Sequence, residues 1–280
     1  MSDTRGALWQ KIRKVARSNT DPLYILDTGF PLFGGHNESS PNGTATFVCR
    51  NEKIYVVTAA HVVEDGIEEA REKLPNPIPT LISQKFMQLG EVDPNNNANI
   101  RSSFRRPTPT WPAKDRPDIA ITPLRENYWA HLQQTKQKTA IDLDAMREPR
   151  WSDVALCLAI GYPNEHKSRV GDKVAVPMLE VSADYQQNGG TISSTFTLHS
   201  QLKEEHGYFF SGMSGGPVYA DDGTDDVIPI GIVYEGSPGS KAAWEARDSQ
   251  SYLTGKDIVV NALVLTPSVF DDWLRRCDLT

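Results

Sequence analysis

The heptapeptide Ser211-Gly212-Met213-Ser214-Gly215-Gly216-Pro217, running into the apolar pair Val218-Tyr219, constrains this chain more than any other stretch. Its glycines let the backbone turn tightly enough for the N–H groups of Gly212 and Ser214 to converge on one point. The Ser214 hydroxyl between them becomes a nucleophile only where a base takes its proton and fixed donors receive the charge leaving an attacked carbonyl. Glycine-flanked serines are common in purely structural turns. Its partners elsewhere in the chain therefore decide the reading.

Two partners stand at expected strand ends. The β-branched and aromatic run Ile54-Tyr55-Val56-Val57 leads into Thr58-Ala59-Ala60-His61, and Asp118 opens the apolar run Ile119-Ala120-Ile121. The order is His61, Asp118, Ser214, with separations of 118 − 61 = 57 and 214 − 118 = 96 residues. Asp115 is a rival for the carboxylate, but it lies between Lys114 and Arg116 in a Pro-rich loop. Asp118 is preferred because the strand after it fixes its backbone. Triads on unrelated folds differ in chain order, and His, Asp, Ser is the order of the chymotrypsin type.

With these blocks the chain resembles the trypsin/chymotrypsin-like serine proteases. Thr58-Ala59-Ala60-His61, Asp118-Ile119-Ala120 and Gly212–Pro217 carry the likeness, supported by Gly43–Val48, Gly161-Tyr162-Pro163 and Gly231-Ile232-Val233. There is some similarity to DegP/HtrA-like members. The resemblance implies an all-β fold of two six-stranded antiparallel Greek-key barrels, the active site between them, with N-terminal and C-terminal helices added. It implies that Asp118 orients His61, that His61 is the base for Ser214, and that the backbone N–H groups of Gly212 and Ser214 form the oxyanion hole. The strand Gly231–Glu235 would pair with an extended substrate, and Tyr208, Phe209, Tyr234, Glu235 and Gly236 would line the substrate site. Tyr208 stands where digestive relatives select Lys or Arg with a carboxylate, so a hydrophobic or small residue before the cut is expected. Met213 replaces the aspartate that receives a new N-terminal amine in relatives activated by cleavage, so that ion pair is excluded. The expected activity is serine endopeptidase. A protease-fold scaffold with vestigial activity and an esterase using the same triad are the alternatives.

A formal net charge of −7 argues against nucleic acid as main partner, because such binding rests on clustered Lys and Arg. Residues 1–20 are cation-rich without an apolar core, and no apolar run approaches the ~18 residues of a membrane span. Three widely spaced cysteines, Cys49, Cys157 and Cys277, suit a reducing compartment. A cytoplasmic location is expected, with no cofactor, no metal, a protein or peptide substrate, and a regulatory protein partner for control.

The domain reading places an amphipathic helix at 1–20, carrying Leu8, Ile12 and Val15 at helical spacing. A first barrel spans 21–135 with a loop-like, Pro-rich insertion at 65–114. An inter-barrel crossing covers 136–150 within the polar stretch 125–150, and a second barrel with a closing helix covers 151–280. Thr266 as cap, Pro267 in the first turn, and Asp271, Asp272, Arg275 and Arg276 placed to suit the dipole mark that helix.

Overall fold

Leu8, Ile12 and Ala16 recur at helical spacing, are all buried, and form the inner face of helix α1 (Ser2–Asn19). The chain passes directly from it into β1 (Thr20–Asp27). The computed structural model describes residues 2–29, 42–83, 85–94, 96–110, 116–154, 156–170, 173–186, 194–203, 210, 212–224, 226–236 and 257–280.

Strands β2 (Asn42–Arg50) and β3 (Lys53–Thr58) form an antiparallel hairpin that pairs Arg50 with Lys53. The two-residue loop puts Asn51 at φ 49° and Glu52 at φ 63°, the double left-handed conformation of a type I′ turn. Asn51, a residue that tolerates the left-handed conformation, sits at the tip. Helix α2 (Ala60–Arg71) comes next.

The 65–114 region, expected to be loop-like, holds regular strands. It contains β4 (Pro77–Ile82), β5 (Phe86–Gln88), β6 (Gly90–Asp93) and β7 (Asn96–Ser102). Strand β4 pairs with β1, and its Ile78 and Leu81 are fully buried. Pro77 and Pro79 give this stretch its loop-like signature, because proline is normally kept from inner strands. The Pro79 carbonyl accepts from the Leu89 N–H at 2.8 Å. Its missing donor points the same way, where β5 has already ended, so the β1 ladder loses nothing.

With β8 (Ala120–Pro123) the sheet runs β5-β4-β1-β2-β3-β8. Helix α3 (Glu126–Lys136) covers one end through Leu132 and a Trp129–Phe47 ring contact at 5.6 Å. The short β9 (Ile141–Asp142) then pairs in parallel with β2, making seven strands. The expected first six-stranded barrel is thus a sheet without a closed strand ladder among the described residues. Single backbone bonds bridge the gap: Ser103 N–H to Leu89 O at 3.0 Å, and Arg105 paired both ways with Ile121 at 2.8 and 2.9 Å. The 125–150 crossing accordingly holds a helix and a strand.

The second half is a closed barrel. It comprises β10 (Leu156–Gly161), then a small hairpin of β11 (Ser168–Val170) and β12 (Lys173–Ala175), then β13 (Leu179–Gln186), β14 (Thr195–Gln201), β15 (Pro217–Asp221), β16 (Ile228–Gly236) and β17 (Asp257–Val264). Its ring is β10-β13-β14-β17-β16-β15. Counted through the Ser103–Leu89 and Arg105–Ile121 bonds, β1-β2-β3-β8-β5-β4 has the same connectivity, a repeat invisible in the sequence. The alternation in β10 runs opposite to a simple core reading. Cys157 and Ala159 fill the barrel, while Leu158 and Ile160 point outward under α1 beside Tyr219.

Helix α4 (Pro267–Arg276) begins at Thr266, whose hydroxyl accepts from the Val269 N–H at 3.3 Å. It was expected on the second barrel. Instead Phe270, Trp273 and Leu274 share one cluster with Val48, Tyr55 and Ile121 of the first sheet and Ile232 and Leu263 of the second barrel. The Arg50 guanidinium bonds the Asp271 carboxylate through both Nε (2.8 Å) and Nη2 (2.6 Å).

Phe270→Ala should therefore cost about 3–5 kcal/mol, and Thr266→Ala about 1 kcal/mol. Urea denaturation with an unchanged m-value is the measurement. A Phe270→Ala loss below ~1 kcal/mol would mean that α4 is not wedged between the two halves.

Candidate active site

Register alone brings two of the three chemical residues together. Thr58 at the end of β3 pairs with Ala120 at the start of β8. Three residues beyond Thr58 and two before Ala120, His61 and Asp118 meet at the same end of two neighbouring antiparallel strands. Asp118 Oδ2 lies 2.7 Å from His61 Nδ1, and its Oδ1 accepts the His61 backbone N–H at 3.0 Å. That N–H belongs to the first turn of α2, whose cap Ala59 offers no side-chain bond. The carboxylate thus satisfies an orphan helix donor and orients the ring at once.

Burial works to lower the His61 pKa, but the hydrogen bond and charge of Asp118, aided by Asp65 and Glu235, outweigh it and raise it above its usual 6.5. Burial conversely works to raise Asp118, yet the His61 ring, its backbone N–H and the charge of Arg106 hold it below the usual 3.8. An ionised carboxylate only accepts, so the proton shared with it sits on Nδ1. Nε2 of neutral His61 is then left with the lone pair.

The third residue comes from the other half. Ser214 lies in the turn before β15, and its carbonyl accepts the Thr44 N–H at 3.0 Å. Gly212 at φ 94° and Gly215 at φ 93° occupy the left-handed region. A Cβ on Gly215 would also lie 2.0 Å from the Thr44 carbonyl, so no larger residue fits against β2. The Ser214 hydroxyl donates to the Tyr234 carbonyl at 3.4 Å. Among the described residues no hydrogen bond joins it to His61, a looseness usual in unliganded sites. After burial, the charges of Glu235 and Asp118 also raise the Tyr234 phenol.

Among the described residues, neither the Gly212 nor the Ser214 N–H donates a backbone or side-chain bond, whereas Met213, Gly215 and Gly216 donate to Phe210, Val233 and Met213 carbonyls. The two expected oxyanion donors are therefore available. Met213 is 1% exposed and packs with Phe210 in the second-barrel core, so hydrophobic contact anchors this turn. Tyr234, Glu235 and Gly236 close β16 beyond Ile232, where its ladder with β15 ends. The Glu235 carboxylate accepts from Asn261 Nδ2 at 3.1 Å, and a Cβ on Gly236 would meet Phe210 Cβ at 3.2 Å. Tyr208 and Phe209 lie outside the described residues, as does Asp115.

Cys49, Asp142 and Asp144 bring donor atoms within 4.8 Å of one another, a grouping their spacing does not reveal. It sits at the far end of β2 from Ser214, and Asp144 is already bonded by Arg50 and the Asn51 N–H. A cavity of about 400 Å³ lies elsewhere too, beneath α1 against Tyr219. Neither lies at the His61–Asp118 pair or at the Ser214 turn.

The family model described as Trypsin matches residues 34–245. Among solved structures, the thermostable serine protease AL20 from an extremophilic microorganism aligns at 13% identity over 94% of this chain and 99% of that one, with a TM-score of 0.47. The protease Anisep from Arthrobacter nicotinovorans aligns at 12% identity over 94% and 97%, with a TM-score of 0.45. Deg5 aligns at 14% identity over 82% and 85%, with a TM-score of 0.40. No sequence match was found among curated proteins.

The raised His61 pKa sets a pH dependence. A base must be neutral, and a raised pKa keeps the ring protonated to higher pH. Labelling of Ser214 by a fluorophosphonate should fall as pH drops through a midpoint above 6.5. An acid limb centred below 6.5 would contradict the pairing with Asp118.

Proposed function

The chain belongs to the trypsin family, and from that premise we propose that it is a serine endopeptidase working through His61, Asp118 and Ser214. The observation that carries the reading is the double contact of Asp118 with His61, at 2.7 and 3.0 Å.

In this mechanism His61 Nε2 takes the Ser214 proton as Oγ attacks the substrate carbonyl. The carbonyl π pair moves onto oxygen, which the Gly212 and Ser214 N–H groups receive. Each such donor contributes roughly 2.7–4 kcal/mol in comparable sites. When the C–N bond breaks, the proton on Nε2 passes to the leaving amine. Water, deprotonated by the same nitrogen, then hydrolyses the acyl-enzyme. Asp118 holds the ring and stabilises its imidazolium form without taking the proton.

An extended peptide is the proposed substrate, laid along Tyr234–Gly236 where β16 outruns β15. The absence of a carboxylate at Tyr208 supports a hydrophobic or small residue before the cut. Cys49, Cys157 and Cys277 carry no disulfide, which supports the proposal of a cytoplasmic location. A complete triad there implies narrow specificity or a regulatory partner.

Ser214→Ala, His61→Ala and Asp118→Ala are each expected to lower kcat by about 10⁴ or more, with double variants hardly worse than singles. Peptide hydrolysis and fluorophosphonate labelling are the readouts. A chain that does not label at all would favour a protease-fold scaffold, and ester cleavage without peptide cleavage an esterase.

Met213 cannot form an ion pair with a new N-terminal amine, and it is already buried. The chain beginning at Met1 should therefore label without prior cleavage. Labelling that appears only after a cut within residues 1–40, and only when the new amine is unblocked, would overturn this.

A further inference from the structure

Hydroxyls of β2 reach the carbonyls around Ser214. Thr44 Oγ1 donates to Gly212 O at 2.8 Å, and Thr46 Oγ1 donates to Gly215 O at 2.7 Å. Both threonines are fully buried, while Ala45 and Phe47 between and beyond them enter the first-sheet core. Strand alternation thus turns Thr44 and Thr46 together toward the nucleophile turn. Valine would fill the same space without a polar group to desolvate, so a buried hydroxyl here needs a bonding partner to be tolerated.

Thr44 is the more committed of the two. Its Oγ1 also accepts the Tyr162 N–H at 3.0 Å. With that lone pair taken, its one proton goes to Gly212 O. In a trans peptide the carbonyl and the following N–H point in opposite directions. Anchoring Gly212 O on Thr44 therefore sends the Met213 N–H away, toward Phe210 O at 3.1 Å. The orientation of this peptide sets ψ of Gly212 and φ of Met213, next to a Gly212 whose φ of 94° only glycine adopts readily. Rotating that peptide would break both bonds and leave Gly212 O and Phe210 O without these donors.

We propose that Thr44 is a positioning residue of the catalytic site, its hydroxyl locking the Gly212–Met213 peptide so that the Gly212 and Ser214 N–H groups stay free and co-directed. It does from the first sheet what an aspartate–amine ion pair cannot do in a chain with Met213. The inference rests on the proteolytic reading above.

The test compares Thr44→Val, which removes the hydroxyl at constant volume, with Thr44→Ser, which keeps it. Thr44→Val should lower kcat for a peptide substrate by about 10²–10³, the range for losing an oxyanion donor, with KM changed less than about threefold. Affinity for a peptide boronate, which forms a tetrahedral adduct on Ser214, should fall by the same factor. Thr44→Ser should restore both to within about threefold. A folded Thr44→Val with unchanged kcat, a loss confined to KM, or no recovery in a folded Thr44→Ser overturns the inference while wild-type labelling keeps the proteolytic reading intact. A wild-type chain that neither labels nor turns over overturns both. Should Thr44→Val not fold, hydrogen exchange in the wild type decides. Protection of the Tyr162 amide supports the lock, and fast exchange at that amide overturns it.

Discussion

A turn of backbone buried between two β-structures is tolerable only when its carbonyls find donors. At Ser214 those donors come from the other half of the molecule. Thr44 supplies its hydroxyl to Gly212 and its N–H to Ser214, and Thr46 serves Gly215. Thr58 Oγ1 in turn holds the Thr44 carbonyl at 2.9 Å. The same strand, β2, pairs with β3, and β3 ends three residues before His61. One short hairpin therefore positions both His61 and the Ser214 turn, although they lie 153 residues apart (214 − 61).

The carboxylate completes this economy. Asp118 answers two needs with one group, an unsatisfied N–H at the start of α2 and the ring nitrogen of His61. The contact with the helix N–H fixes the carboxylate even when the ring turns. Arg106 adds a favourable charge to Asp118 and is itself bonded to Glu64 of α2 at 2.7 Å. Arg101 and Arg105 pair with Glu91, and Arg106 with Glu64.

The site was legible in the sequence where chemistry and local geometry coincide. His61, Asp118 and the Gly212–Pro217 turn stand at strand ends that β-branched runs announce, and Asn51 and Thr266 mark their turn and cap. Legibility failed where tertiary pairing overrides local signal. Pro77 and Pro79 made β4 look like loop because only the register with β1 shows that their missing donors fall harmlessly. The alternation of Leu158 and Ile160 does not say which face of β10 lines the barrel, because the sequence does not show that α1 covers the outside. The roles of Thr44 and Thr46 depend on contacts some 168 residues away, beyond any local pattern.

The two ends of the chain have a further consequence. Helix α1 lies on the outer face of β10 and β15, yet it leads straight into β1 of the first sheet. Lys138, buried after α3, bonds the Arg17 carbonyl near the end of α1 and so ties that helix to the first half as well. Helix α4 leaves the last strand of the second barrel and buries Phe270 against Tyr55 of the first. Each half is thus finished by a segment that chain order assigns to the other. Cutting the chain near residue 150 would give fragments that each expose an apolar face, so the two halves are not independent folding units. They should melt in a single cooperative transition, and the cleft between them has little freedom to open as a hinge.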